Sequence, residues 1–148
     1  MSDKIDNIKK EVWANFKDFQ CVFLATVEGN QPRVRPVTLI YFDKRFWIMT
    51  NTGSAKVKQI QKNPKIELCL FLERKKGGNS YIRIIGMARL IRDKTTKARI
   101  ARHCDFFSRH WKSVDDPDYT LIEICPKEVE YLRAGEFFVR KFKVSKNG

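Results

Sequence analysis

Along the first twenty residues, Ile5, Ile8, Val12, Phe16 and Phe19 recur at intervals of three and four, the spacing of one face of an α-helix. Ser2 or Asp3 offers that helix an N-cap, so an amphipathic helix is predicted over residues 1–20. From Cys21 onward the period shortens to that of strands. Runs at 21–27, 32–42 and 45–50 are separated by the turns Glu28-Gly29-Asn30-Gln31 and Asp43-Lys44, which predicts a three-stranded meander. Thr52-Gly53-Ser54 ends the third run, and Ser54 stands as the N-cap of a short helix carrying Val57 and Ile60 and stopped by Asn63-Pro64. Beyond it the pattern gives a strand at 65–73, a basic glycine-containing turn at 74–79 and a longer strand at 80–92. Gly86 in that strand marks a bulge or a close backbone approach. Residues 94–111 have helical composition, 115–118 form a loop around Pro117, and 119–125, 128–132 and 137–144 read as further strands. The tail 145–148 is expected to be loose.

Neither a repeat nor a Pro/Gly/Ser linker divides the chain, so residues 1–148 are read as one domain: an N-terminal helix over 1–20, then a barrel with helices over 21–144. Several strands with helices at the start, middle and end give the α+β class, most economically a small antiparallel barrel with flanking helices. At 148 residues the chain buries enough surface to need no structural metal or disulfide. Its longest apolar run, 66–72, is interrupted by Glu67 and is far short of a membrane span, and the polar start at 1–10 lacks a signal segment, so a cytoplasmic location is expected. Cys21, Cys69, Cys104 and Cys125 form no C-x-x-C pair and are read as core thiols.

Charge changes the picture more than composition does. Thirty Lys and Arg against seventeen Asp and Glu leave +13, a surface that attracts anions without saying which. Two places could receive one. Arg33 and Arg35 lie two apart on one strand face with Val37, Leu39 and Tyr41, so at least one guanidinium approaches a half-buried surface, there to meet either an acidic neighbour or a ligand. The second is the strand-to-helix turn after Met49, where the hydroxyls of Thr50 and Ser54, the ammonium of Lys56 and the free amides of a helix start suit a phosphate. Gly53-Ser54-Ala55-Lys56 is not the G-x-x-x-x-G-K-[ST] loop of nucleotide triphosphatases. His103 and His110, seven apart on the predicted helix, share a face with Cys104 near, but the chain has no ligand spacing typical of a metal site, and no metal is assigned. Trp111 covers a pocket or caps a core. Nucleophilic acyl transfer and carboxylate acid-base catalysis have no motif here.

The segment Phe46-x-x-x-Thr50-Asn51-x-Gly53-Ser54-x-Lys56-x-x-Gln59-Ile60-x-x-Asn63-Pro64, preceded by Arg35-Pro36-Val37, strongly resembles the FMN-binding split barrels related to pyridoxamine 5'-phosphate oxidase, and among them the general stress protein type. The likeness continues through residues 83–88, 116–119 and 126–131. It implies an antiparallel split β-barrel and a homodimer with FMN at the subunit interface. Arg35 and Lys56 would pair with the phosphate, and Ser54 would donate to it. Pro36, Val37, Met49 and Thr50 would line the isoalloxazine, Asn51 would be a further cofactor-binding residue, and Tyr81 would be supplied by the other subunit. Ala55 replaces a basic residue frequent in the oxidases, and 136–148 has no counterpart of their C-terminal Trp and Arg/His substrate signature, so oxidation of pyridoxamine phosphate is not implied. The expected role is an FMN-dependent oxidoreductase in which the flavin carries the redox chemistry and the protein supplies orientation and electrostatics. Three other readings are a deazaflavin or haem in the same fold, a cofactor-free sensor or flavin store, and a basic nucleic-acid-binding barrel. The last would stack bases on Phe23, Phe42, Phe46 and Tyr81 beside Arg74-Lys75-Lys76.

Overall fold

A computed structural model describes residues 2–73 and 78–145, with the side chains of Ser2 and Asp3 not included. The basic triplet Arg74-Lys75-Lys76 and the tail 146–148 therefore lie outside the described residues. The elements are α1 (Ser2–Trp13), β1 (Phe19–Glu28), β2 (Gln31–Phe42), β3 (Arg45–Asn51), α2 (Ala55–Lys62), β4 (Lys65–Leu72), β5 (Ser80–Ile91), α3 (Lys94–His103), β6 (Tyr119–Leu132) and β7 (Arg140–Lys143). All strand pairs are antiparallel, in the order β3-β2-β1-β4-β5-β6-β7, and β3 pairs also with β6. That extra pairing closes six strands into a barrel and leaves β7 as an addition to β6. The α+β split barrel with flanking helices expected from the sequence is the fold observed.

The split lies between β2 and β3. A two-residue turn at Asp43-Lys44, both at φ +58°, joins them, and they stay paired only from Ile40↔Trp47 to Phe42↔Arg45. Beyond Trp47, β3 keeps β6 as its neighbour as far as Asn51↔Tyr119, while β2 runs on beside β1 as far as Glu28↔Gln31. Residues 31–39 of β2 thus have a ladder partner on one side only.

Alternation along the strands sends Val22, Leu24, Leu39, Ile48, Leu68, Leu70, Ile82, Ile84, Ile122 and Val129 into the barrel. Helix α1 closes one end with Ile8 and Val12. It ends at Trp13, earlier than the periodicity predicts, because the Asn15 side chain donates to Glu11 O (2.7 Å) and the chain turns to drop Phe16 against Phe46, with ring centroids 4.9 Å apart. Consequently Phe19 belongs to β1, and both it and Ile5 stay exposed.

A second apolar layer outside the barrel unites Ile40, Trp47, Tyr119 and Leu121 with Ile100, Cys104 and Trp111. To build it the chain leaves helical geometry at Cys104, so the helix expected over 94–111 is α3 plus a single 3-10 turn at Phe107–Arg109. His103 ends α3 and His110 follows the 3-10 turn, so they share no helical face. Of the four cysteines only Cys104 is a core thiol; burial raises its pKa to about 11, while Cys21 is exposed and Cys69 and Cys125 are half-buried. The aromatic platform is corrected too: Phe46 is core, and Phe42 stacks on His103, so neither joins Phe23 and Tyr81 on one outer face.

Two strands expected around Pro126 are one. Ile85 pairs with Glu128 and Gly86 with Pro126, leaving Lys127 as the extra residue of a bulge that absorbs the proline without ending β6. The last strand is shorter than 137–144, spanning only Arg140–Lys143. Gly86 is where the bulge presses closest, since a Cβ there would lie 2.3 Å from the Cys125 carbonyl oxygen. Gly86→Ala is expected to cost about 3 kcal/mol, the upper range for overpacking against backbone that cannot give way. Urea unfolding of the variant beside the native chain measures it.

Candidate functional site

The divergence of β2 from β3 opens a cleft of about 620 Å³. One wall is Pro36, Val37 and Thr38 of β2, and the other is Ile48, Met49, Thr50 and Asn51 of β3 with Lys56 of α2. Phe19, Phe106, His110 and Trp111 complete it. The closing hairpin pairs Glu28↔Gln31 and Phe42↔Arg45 set the alternation of β2, so its odd-numbered residues bond to β1 and its even-numbered ones turn their backbone groups to the open edge. The cleft therefore meets the carbonyls of Pro36 and Thr38 and the amide of Thr38, polar groups free to orient a planar ligand.

At the α2 end, Lys56 Nζ donates to Thr50 Oγ1 (2.8 Å), and that hydroxyl lies 3.3 Å from Ser54 Oγ. Ser54 occupies the N-cap position with extended backbone, but its side chain makes no capping bond, contrary to the expected role. The hydroxyl thus faces Thr50 instead of the helix amides. Burial, and then the positive charge of Arg35, hold the Lys56 ammonium below its ordinary pKa.

Arg35 projects to the barrel side of β2. Its Nη1 donates to Thr26 Oγ1 (2.7 Å) and Leu24 O (3.3 Å), and its Nη2 to Gln59 Oε1 (2.7 Å). Every one of these partners is neutral. Burial and the charge of Arg33 lower its pKa as well. The neighbour on the same face has the opposite fate: Arg33 pairs with Glu28 at 3.6 Å. Of the two readings open to this strand face, then, Arg33 takes the ion pair, and Arg35 has no carboxylate partner among the described residues. Arg35 and Lys56 are two half-buried cations, the charge of Arg35 bearing on Lys56, an arrangement that an oxyanion relieves.

Of the nine residues singled out from sequence, Pro36, Val37, Met49, Thr50, Asn51 and Lys56 line the cleft together. Ser54 touches Thr50, and Arg35 stands behind the wall beside Gln59. Tyr81 is elsewhere on its own chain, paired with Phe71 and Leu132 on the outer face of the barrel. Sequence reasoning missed Thr26 and Gln59 as Arg35's partners. It also left the aromatic wall unassigned. Trp111 both covers the cleft and packs in the outer layer, its Nε1 donating to Asn51 Oδ1 (3.0 Å) and Asp118 O (3.1 Å). The unbroken helix read over 94–111 concealed that geometry. Among the described residues no group of three or more His, Cys, Asp or Glu could hold a metal ion. No described helix is long and apolar enough to cross a membrane.

The family model described as pyridoxamine 5'-phosphate oxidase matches residues 8–133. General stress protein 26 of Bacillus subtilis (strain 168) is 24% identical over 135 residues, covering 88% of this chain and 91% of that protein. Among solved structures, General Stress Protein 26 from Bacillus anthracis str. Sterne superposes with TM-score 0.72 at 23% identity, covering 93% of this chain and 98% of that one. A NimC/NimA family protein from Clostridium acetobutylicum superposes with TM-score 0.73 at 24% identity, covering 91% of each chain. These structures share the split-barrel fold.

The electrostatics give an expectation that holds for any oxyanion. Lys56 must be charged to attract it, and its pKa in the free protein is lowered. Affinity for inorganic phosphate is therefore full below that lowered pKa and falls as pH rises through it, by up to about tenfold per pH unit. Lys56→Arg keeps the affinity across that range. A phosphorus-31 NMR titration at several alkaline pH values reads both.

Proposed function

Because the chain belongs to the pyridoxamine 5'-phosphate oxidase family, whose members generally bind flavin, we propose that it is an FMN-binding flavoprotein with oxidoreductase activity and not a pyridoxamine phosphate oxidase. The observation that carries this reading is the pair of cations without carboxylate partners among the described residues, Arg35 and Lys56, at a cleft whose open strand edge and apolar walls suit a planar ring. The phosphate of FMN goes to Arg35 and Lys56, with the Ser54 hydroxyl as a further donor. Pro36, Val37, Met49, Thr50 and Asn51 line the isoalloxazine, and backbone groups of Pro36 and Thr38 orient it. Bound there, FMN would supply hydride or electron transfer. The chain's own contribution is to hold the anionic end, fix the ring against β2 and β3, and exclude water with Phe106 and Trp111. Without the C-terminal signature of the oxidases, nothing on residues 136–145 favours pyridoxamine phosphate as substrate.

A homodimer completes the proposal. Phe23 and Phe71, 48% and 54% exposed, share the outer face of β1 and β4 with Tyr81 of β5, next to Pro36 and Thr38 at the cleft rim. A second copy covering this apolar face buries it and brings its own Tyr81 toward the cleft.

Purified protein is expected to show a flavin absorbance spectrum, and denaturation to release FMN at about one per chain, identified by mass spectrometry. Arg35→Ala with Lys56→Ala should lose the flavin while far-ultraviolet circular dichroism stays native. A colourless protein that takes up no added FMN defeats the reading, and release of a deazaflavin or haem keeps the fold and replaces the cofactor. Phe71→Asp puts a charge on the covered face, and its sedimentation mass should fall to that of one chain with loss of flavin. A native-mass Phe71→Asp protein would remove this face from the interface.

A further inference from the structure

Arg35 stays unneutralised although a carboxylate is close at hand. Glu28 lies at the end of β1, and Arg35 faces β1. Two other groups occupy that carboxylate: Arg33 at 3.6 Å, and the Gln59 amide, whose Nε2 donates to Glu28 Oε2 at 2.8 Å. Because Nε2 is committed to Glu28, the amide oxygen turns the other way. There it accepts from both the Thr26 hydroxyl (2.5 Å) and Arg35 Nη2 (2.7 Å). Gln59 and Thr26 are almost wholly buried, 4% and 1% exposed, so water does not scramble this orientation.

We propose that Gln59 is a positioning residue that relays the presence of Glu28 to Arg35 as a neutral hydrogen bond, fixing the guanidinium for a phosphate while keeping its charge unspent. This rests on the assignment of Arg35 to the flavin phosphate, and it makes residue 59 a determinant of selectivity between phosphorylated and unphosphorylated flavin. The chemical reason is a single group. A glutamate at 59 would offer Arg35 an internal anion of the same shape, and a ligand phosphate would then have to compete with it. An amide of that shape holds the guanidinium in place without cancelling it. Helix α2 supplies the residue from its buried face, alongside Val57 and Ile60, so the relay is tied to the element that also carries Lys56.

The test uses the full chain stripped of cofactor and three probes: FMN, riboflavin and inorganic phosphate. Gln59→Glu alone sets two carboxylates against each other, so the informative variant is the exchange Glu28→Gln with Gln59→Glu. The amide at 28 can then donate to the carboxylate at 59, the hydrogen-bond pattern survives and Arg35 gains an ion pair. The exchanged protein is expected to keep the native unfolding midpoint and riboflavin affinity, and to bind FMN and inorganic phosphate about ten- to a hundredfold more weakly, the range for charged hydrogen bonds. An exchanged protein with the native FMN-to-riboflavin ratio and native phosphate affinity overturns the relay. If the native chain itself does not prefer FMN to riboflavin, the flavin reading fails, and the phosphate titration alone decides the relay. Phosphate binding weakened by the exchange then supports it, and phosphate binding unchanged or absent in both proteins refutes it.

Discussion

Everything functional in this molecule follows from one strand pairing that stops short. Strand β3 leaves β2 after three residue pairs and continues beside β6. Full pairing would zip β2 to β3, extend the ladder to Pro36 and Thr38, and leave no cleft. The tight turn at Asp43-Lys44 fixes where the two strands start together, and Trp47, buried in the outer layer and bonded through Nε1 to Phe42 O (3.1 Å), holds the last common pair. Past that point the inner side of β3 is committed to the barrel core and its free edge to the opening.

Against this frame the charge of +13 gains a location. Most described carboxylates near the barrel wall are occupied. Glu67 and Glu130 hold Arg83 between them, Glu11 and Glu136 hold Arg133, and the buried Glu123 is shared by Arg45 and Arg89. The pairs half-exposed on both sides, Arg83 with Glu67 and Arg133 with Glu11, contribute little stability individually. Their consequence is distributive, because acids placed on the outer wall are not available at the split. Lys56 in the cleft wall and Arg35 behind it consequently lack a carboxylate partner among the described residues, and their lowered proton affinities record burial first, then the charge of Arg35 on Lys56 and of Arg33 on Arg35.

The barrel was legible because alternation at period two is forced wherever one strand face is buried, and the turns at Gly29 and Asp43-Lys44 punctuate it clearly. Gly86 was legible for the same reason: a glycine within an apolar strand signals backbone proximity, here to Cys125. Boundaries set by side chains meeting from distant segments were not. Phe16 leaves the helix to meet Phe46, and Cys104 breaks helical geometry so that Phe107 and Trp111 can pack on Tyr119, contacts that local propensity does not contain. Pro126 read as a stop because the bulge that tolerates it depends on Gly86, forty residues earlier in the chain. In the site, Thr50, Asn51 and Lys56 of the sequence motif line the cleft, whereas the bonding of Gln59 and Thr26 to Arg35 came to light only once β1 and α2 were set against each other.

The unpaired margin of β2 has one more consequence. A strand with a free side is a template on which a foreign strand can grow, and here it must stay open for the cleft to exist. Two of the positions that turn their backbone to that margin, residues 32 and 36, are prolines, which have no N–H to give. Only the amides of Val34 and Thr38 remain along residues 31–38, and charged Arg33 and Arg35 flank the first of them. The same prolines that leave carbonyls for a ligand deny an invading chain the regular donors it would need, so the opening resists polymerisation without being closed.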